Sequence, residues 1–135
     1  MSARQQANLE LAQRFYEAIF SADLPFMRAH VTDDFCVVEA DGLPYGGTWK
    51  GLDGFQRLFA KITDEVFEGV DIQLQSIAAN DTHAMSFFRF TGTARKTGRR
   101  VDFDIAEVVT IRDGKVACIK PFYFDTKAVA AACTP

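Results

Sequence analysis

The sequence predicts an α+β domain in which helices from the first half pack on one face of a curved antiparallel sheet built from the second. Three observations predict it. Apolar residues recur at helical spacing as far as about Phe67. From Gly69 onward they alternate with polar neighbours at period two, and turn signals divide that stretch into a meander. Finally, the chain has 135 residues with neither a repeat nor a linker, so residues 1–127 read as one domain with its own core.

The first helix spans Ala7 to Phe20, with Leu11, Phe15, Ala18 and Ile19 on one face and Leu9, Ala12 and Tyr16 widening the stripe. Asp23 is a good cap and Pro25 is tolerated in a first turn, so a short second helix runs to about His30. Phe35 to Ala40 is β-rich and strand-length. The passage Asp41 to Gly47 is turn-rich, and its glycines suit a tight turn into a third helix, Leu52 to Phe67. In that helix Phe55, Leu58, Phe59 and Ile62 share a side.

Val70, Ile72 and Leu74 alternate in the next strand, which Asn80-Asp81 closes. His83 to Ala94 and Arg100 to Ile111 follow, joined through Lys96-Thr97-Gly98. Asp113-Gly114 is a strong hairpin signal leading to a last strand, Lys115 to Asp125. The tail from Ala128 to Pro135 is rich in small residues and reads as flexible.

Composition narrows the function classes. Hydrophobic residues make up 48% and charged residues 24%, a globular balance, and 13 phenylalanines point to an aromatic core or an aromatic-lined cavity. A net charge of -3 argues against nucleic acid as a partner. The one basic cluster, Arg95, Lys96, Arg99 and Arg100, brackets a hairpin tip and reads as turn solvation. Three cysteines lack metal or redox spacing, and no apolar run reaches the roughly 18 residues of a membrane helix. The polar start, Met1 to Gln6, has no leader-like apolar stretch, so a cytoplasmic location is expected. His30 and His83 have no metal-site spacing, and Gly46 to Gly51 matches neither phosphate-loop pattern; no metal and no cofactor are expected.

The informative residues break the alternation. Val101, Phe103, Ile105, Glu107, Val109 and Ile111 share one face, which sets a glutamate inside an apolar stripe. Phe35, Val37 and Glu39 do the same in the earlier strand. A carboxylate among hydrocarbon side chains is costly as an anion, so its pKa rises unless donors or cations compensate. Two such groups facing one cavity would separate their titrations, one serving as base and the other keeping its proton. Alternation alone leaves other readings open. A solvated strand end would relieve Glu39, a bulge would turn Glu107 outward, and a neighbouring donor would make it structural.

Several strings resemble the ketosteroid isomerase and SnoaL-like group of the nuclear transport factor 2-like fold. They are Leu11 to Tyr16, Thr32 to Phe35, Gly47 to Gly51, Arg112 to Val116 and the closing Tyr123 to Asp125, so the resemblance spans about Ala7 to Asp125. It implies a cone-shaped sheet with the N-terminal helices on its concave face around an apolar pocket, commonly as a homodimer. Ketosteroid isomerase pairs an aspartate base with a tyrosine and a protonated aspartate as oxyanion donors. By position, the resemblance places Glu39 at the base and Glu107 at the protonated acid, making these the catalytic candidates. Phe15 stands at the oxyanion tyrosine and Phe59 at a supporting tyrosine. Tyr16, about 100° further around the helix, is turned away, which leaves Tyr45, Trp49 or Tyr123 as substitute donors.

The expected substrate-binding wall is therefore Phe15, Tyr45, Trp49, Phe55, Leu58, Phe59, Phe88, Phe90, Ile119 and Tyr123. On the opposite sheet face Met85, Phe87, Arg89, Phe122 and Phe124 suit a contact between two copies. The function implied is cofactor-free acid–base catalysis of isomerase, cyclase or dehydratase type on a small apolar cyclic ketone or polyketide-like molecule. The alternatives are a non-catalytic binder of an apolar metabolite and a dimeric scaffold with a vestigial pocket. This fold hosts all of them.

Overall fold

The structure is a computed structural model describing residues 1–135. Helix α1 (Ala3–Ser21) begins four residues earlier than periodicity suggests, because Ser2 and Gln5 form a reciprocal capping box. Ala22 ends it with φ of 55°. Helix α2 (Leu24–Ala29) starts where Asp23 accepts from the Phe26 amide. Strand β1 (Val31–Glu39) is longer than expected at its start. Strand β2 (Gly47–Lys50) lies where the glycines read as a plain turn; four residues carry too little alternation to signal a strand.

Helix α3 covers Gly51–Ala60, and the rest of the expected third helix is a π-helical turn, Lys61–Val66. The meander follows as β3 (Phe67–Ala79), β4 (His83–Ala94), β5 (Arg100–Arg112) and β6 (Lys115–Tyr123).

These strands form one six-stranded sheet in the order β2-β1-β6-β5-β4-β3. The expectation of a wholly antiparallel sheet fails at one seam: β1 runs parallel to β6. Pairing these two lets the chain's first strand sit inside the sheet rather than at its edge, and no local pattern announces a partner so distant in sequence. Bulges in β3, between Glu68 and Asp71 and between Leu74 and Ser76, bend that strand. Gly69 takes φ of 60° within the first of them, which glycine does at no steric cost.

The core lies between the concave face and the helices. Phe35, Phe67, Phe88 and Phe90 are buried there, with Phe90 stacked on Phe103 and Phe67 set edge-on to Phe90. Two flanks of α1 dock separately. Phe15 meets Phe35 of β1 edge-on at 6.4 Å, and Tyr16 meets Phe88 of β4 edge-on at 5.0 Å.

The tail is not the flexible segment its composition suggests. Thr126–Ala132 forms α4, capped by Asp125 and anchored by buried Val129, with Cys133 buried just beyond it. The basic cluster holds it. Thr97 donates to the Ala132 carbonyl at 2.6 Å and Arg99 to the Ala131 carbonyl at 2.9 Å, at the end of a helix where cations are favoured. Arg95 likewise donates to the Phe67 and Thr63 carbonyls, fastening the π turn. These two arginines are exposed, as turn solvation requires, and their hydrogen bonds also make them staples. No helix is long and apolar enough to cross a membrane.

Candidate functional site

The alternation that picked out the two glutamates holds in three dimensions. Ser86 of β4 pairs with Glu107 of β5, and Glu107 pairs with Pro121 of β6. On the other side of β6, Val37 of β1 pairs with Ile119. Carrying that parallel register two residues on sets Glu39 beside Pro121. Glu39 and Glu107 thus flank one strand, two strand spacings or about 10 Å apart at the backbone, and both line one cavity.

This cavity, about 100 Å³, lies between α1, α3, the π turn and the concave face, and its walls are almost wholly aromatic and aliphatic. Of the expected wall residues, Phe55, Leu58, Phe59, Phe88, Phe90, Ile119 and Tyr123 line it. Three others do not. Phe15 is spent on Phe35 in the core. Tyr45 is buried behind Tyr123, sharing a hydrogen bond between their hydroxyls at 2.6 Å. Trp49 lies one layer further out, donating from Nε1 to the Tyr45 carbonyl at 3.0 Å. Tyr123 is therefore the one substitute donor that reaches the cavity, and the other two position it.

The residue that sequence reasoning set aside is Tyr16. Its hydroxyl donates to Glu107 Oε1 at 2.8 Å and lies 2.7 Å from Ser86 Oγ. With the phenolic proton given to Glu107, Ser86 donates to Tyr16, making a chain from Ser86 through Tyr16 to Glu107. The assignment of Phe15 to this place fails because α1 presents both flanks to the core. The signal that finds Tyr16 is the spacing Asn8, Ala12, Tyr16 and Phe20, a strict four-residue row with Ile19 beside it. Asn8 fixes its start by donating to the Asn80 carbonyl at 3.0 Å. Phe20, Ile62 and Ile72 complete the wall, with Phe20 half exposed.

The two carboxyls differ in their surroundings. Glu39 is 5% exposed, and its Oε1 has no hydrogen-bond partner. Burial first, then repulsion from Glu107, pushes its pKa up to about 8. Burial also raises Glu107, to about 7, but the Tyr16 hydroxyl holds it down by favouring the anion. Glu107 therefore ionises first, and the repulsion between them falls on Glu39. Burial keeps the hydroxyls of Tyr16, Tyr45 and Tyr123 protonated well above the ordinary tyrosine range.

No group of three or more His, Cys, Asp or Glu side chains is arranged to hold a metal ion. A wider hollow of about 430 Å³ lies on the outer side between β5 and α4, where Arg89, Asp102 and Asp104 make it a charged surface groove.

The sequence model of the SnoaL-like domain matches residues 12–119, which includes both glutamates, Tyr16 and every strand but the end of β6. The chain belongs to the SnoaL-like domain family. No curated protein matches it in sequence. Among solved structures, a nuclear transport factor 2-like protein from Burkholderia thailandensis is 25% identical, with all of both chains covered and a TM-score of 0.82. A putative SnoaL-like polyketide cyclase from Jannaschia sp. is 17% identical over 100% of this chain and 97% of its own, with a TM-score of 0.77. TerC, crystallised with polyporic acid, is 21% identical over 94% and 98%, with a TM-score of 0.78. The latter two share the fold and carry no more than that. The SnoaL-like architecture seen here has helices on a curved, unclosed mixed sheet.

Proposed function

We propose that this SnoaL-like domain is a cofactor-free acid–base catalyst for a small, uncharged, enolisable cyclic carbonyl compound. The observation that carries this reading is the unequal environment of two carboxyls on one apolar wall. Glu107 has a donor in Tyr16, and Glu39 has none. Near neutral pH the pair then shares about one proton, held by Glu39. Glu107 is the base that removes a proton from carbon, and neutral Glu39 donates to the developing oxyanion. These roles are the reverse of those the resemblance to ketosteroid isomerase implies, because Tyr16 donates to Glu107 and favours its anion. When Tyr45 is the donor in their shared bond, the Tyr123 hydroxyl proton is free to serve as a second donor facing the same space.

The family supports cyclase-type chemistry of this cofactor-free kind, as do the putative polyketide cyclase from Jannaschia and TerC crystallised with polyporic acid. At about 100 Å³ the cavity is smaller than the roughly 150 Å³ that takes up benzene, so nothing larger than a single ring is expected, and that ring enters only as a lining side chain such as half-exposed Phe20 gives way.

The test is exchange of α-hydrogen for deuterium in a panel of cyclic ketones, followed by NMR. Glu107→Gln is expected to slow exchange by about 10²–10⁴-fold, the usual share of a general base. Exchange that is unchanged in Glu107→Gln rejects the assignment. Tight binding of ketones with no exchange in the natural chain would instead make the domain a binding module.

A further inference from the structure

Apart from the two glutamates, the ionisable groups lining the cavity are the phenols of Tyr16 from α1 and Tyr123 from β6. The π turn, α3, β3 and β4 present only Phe, Leu and Ile to it, and no Lys, Arg or His reaches it. Folded chains seldom leave a buried oxygen such as Glu39 Oε1 unpaired unless something outside the chain completes it. The cavity that Glu39 lines is walled largely by rings: Phe20, Phe55 and Phe59 from the helical side, Phe88 and Phe90 from β4, and Tyr123 from β6.

An unpartnered carboxyl oxygen in a cavity lined by aromatic rings is the complement of an organic cation, which pairs with the carboxylate while its alkyl hydrogens rest on the rings. Anions have no counter-charge here. A divalent metal requires more oxygen ligands than two carboxyls in an apolar cavity supply.

We propose that the cavity binds a small monocyclic ammonium ion, its N–H directed at Glu39 Oε1 and its ring held by the surrounding phenylalanines. This goes beyond the acid–base reading, since it needs no proton transfer to carbon. A bound ammonium favours the ionised carboxyl, so binding releases a proton and tightens as pH rises. It also gives the site a charge filter: cations first, neutral rings second, anions excluded.

Three probes that share one ring test the idea by calorimetry on the intact chain: cyclohexylammonium, cyclohexanol and cyclohexanecarboxylate. The amine stays protonated throughout, having an alkylammonium pKa like that of lysine, about 10.4. Near pH 9 the ammonium ion is expected to bind about tenfold or more tighter than cyclohexanol, and to weaken by a similar factor near pH 6. The carboxylate is expected not to bind at all. Glu39→Gln, uncharged and of the same shape, is expected to erase the preference for ammonium over cyclohexanol. Equal affinities for these two at high pH, a preference that survives in Glu39→Gln, or no binding of any probe would overturn the proposal. Loss of cation binding with Glu107-dependent exchange intact sinks this inference alone. Cation binding without such exchange sinks the acid–base reading alone.

Discussion

The two faces of the sheet carry charge in opposite ways. On the outer face Arg89 and Asp102 pair at 2.7 Å with both side chains about half exposed, and Lys120 sits over the ring of Phe122. On the concave face Glu39 and Glu107 have no cation within reach of the cavity and stand among hydrocarbon. The strands are the same and the alternation is the same, yet water screens one set of charges and abandons the other. What separates a surface carboxylate from a cavity-lining one here is the parity of its position along one strand: Asp104 is half-buried toward the outer face, and Glu107, three residues on, faces inward. The proposed proton chemistry is thereby confined to one side of the sheet.

The largest way to break this contrast is to remove the inner charge. Both carboxyls hold their protons more tightly in the folded chain than at their ordinary value of 4.5. Their contribution to stability is therefore fully present below about pH 4.5 and is lost as pH rises through 7 and 8. Tm is expected to fall between about pH 5 and pH 9, by an amount equivalent to a few kcal/mol. Glu39→Gln should flatten that slope and raise Tm at the alkaline end. A melting series over pH checks it, and a slope unchanged in the variant would show that Glu39 is solvated.

A smaller effect follows from Tyr16→Phe. Without its donor, Glu107 loses the one interaction that favours its anion, so its pKa rises further. The acid limb of the exchange rate should move to higher pH by about one unit, with roughly tenfold slower exchange near neutrality. A pH–rate profile that keeps its limb in place would separate Tyr16 from the chemistry.

On the outer face the effects should be smallest. Arg89→Ala removes an exposed pair worth about 0.2–1 kcal/mol and should leave exchange untouched. The apolar part of that face is a different matter. Met85, Phe87, Phe122 and Phe124 are 39–87% exposed, and we expect a second copy to cover them. Sedimentation should report a dimer that Phe122→Asp dissociates, while a monomer at all concentrations would leave the face uncovered.

How much of this was legible in the sequence follows from the range of each interaction. Alternation is local, so the stripes Phe35-Val37-Glu39 and Val101 to Ile111 marked both glutamates as exceptions on an apolar face, while their common cavity depends on the β1-β6-β5 strand order. The parallel seam of β1 with β6 was not legible, because nothing in either strand encodes a partner some 80 residues away. Helix α4 was hidden for a similar reason. Its small residues give no stripe, and it is held by Val129 and by Thr97 and Arg99 reaching over from another turn. Tyr16 was lost to a positional comparison that selected its neighbour, although the four-residue row ending at Phe20 already pointed to it. The π turn escaped because π and α windings share one apolar spacing over a single turn.

The central claim is that Glu39 and Glu107 share one desolvated site and divide the proton unequally. Carboxyl-carbon NMR titration of both, assigned with Glu39→Gln and Glu107→Gln, tests it most directly. The account predicts that the pair titrates in two steps near 7 and 8, Glu107 first. Replacing Glu107 should bring Glu39 down, because its repulsion is gone. Two independent titrations at the ordinary glutamate value of 4.5 would contradict it.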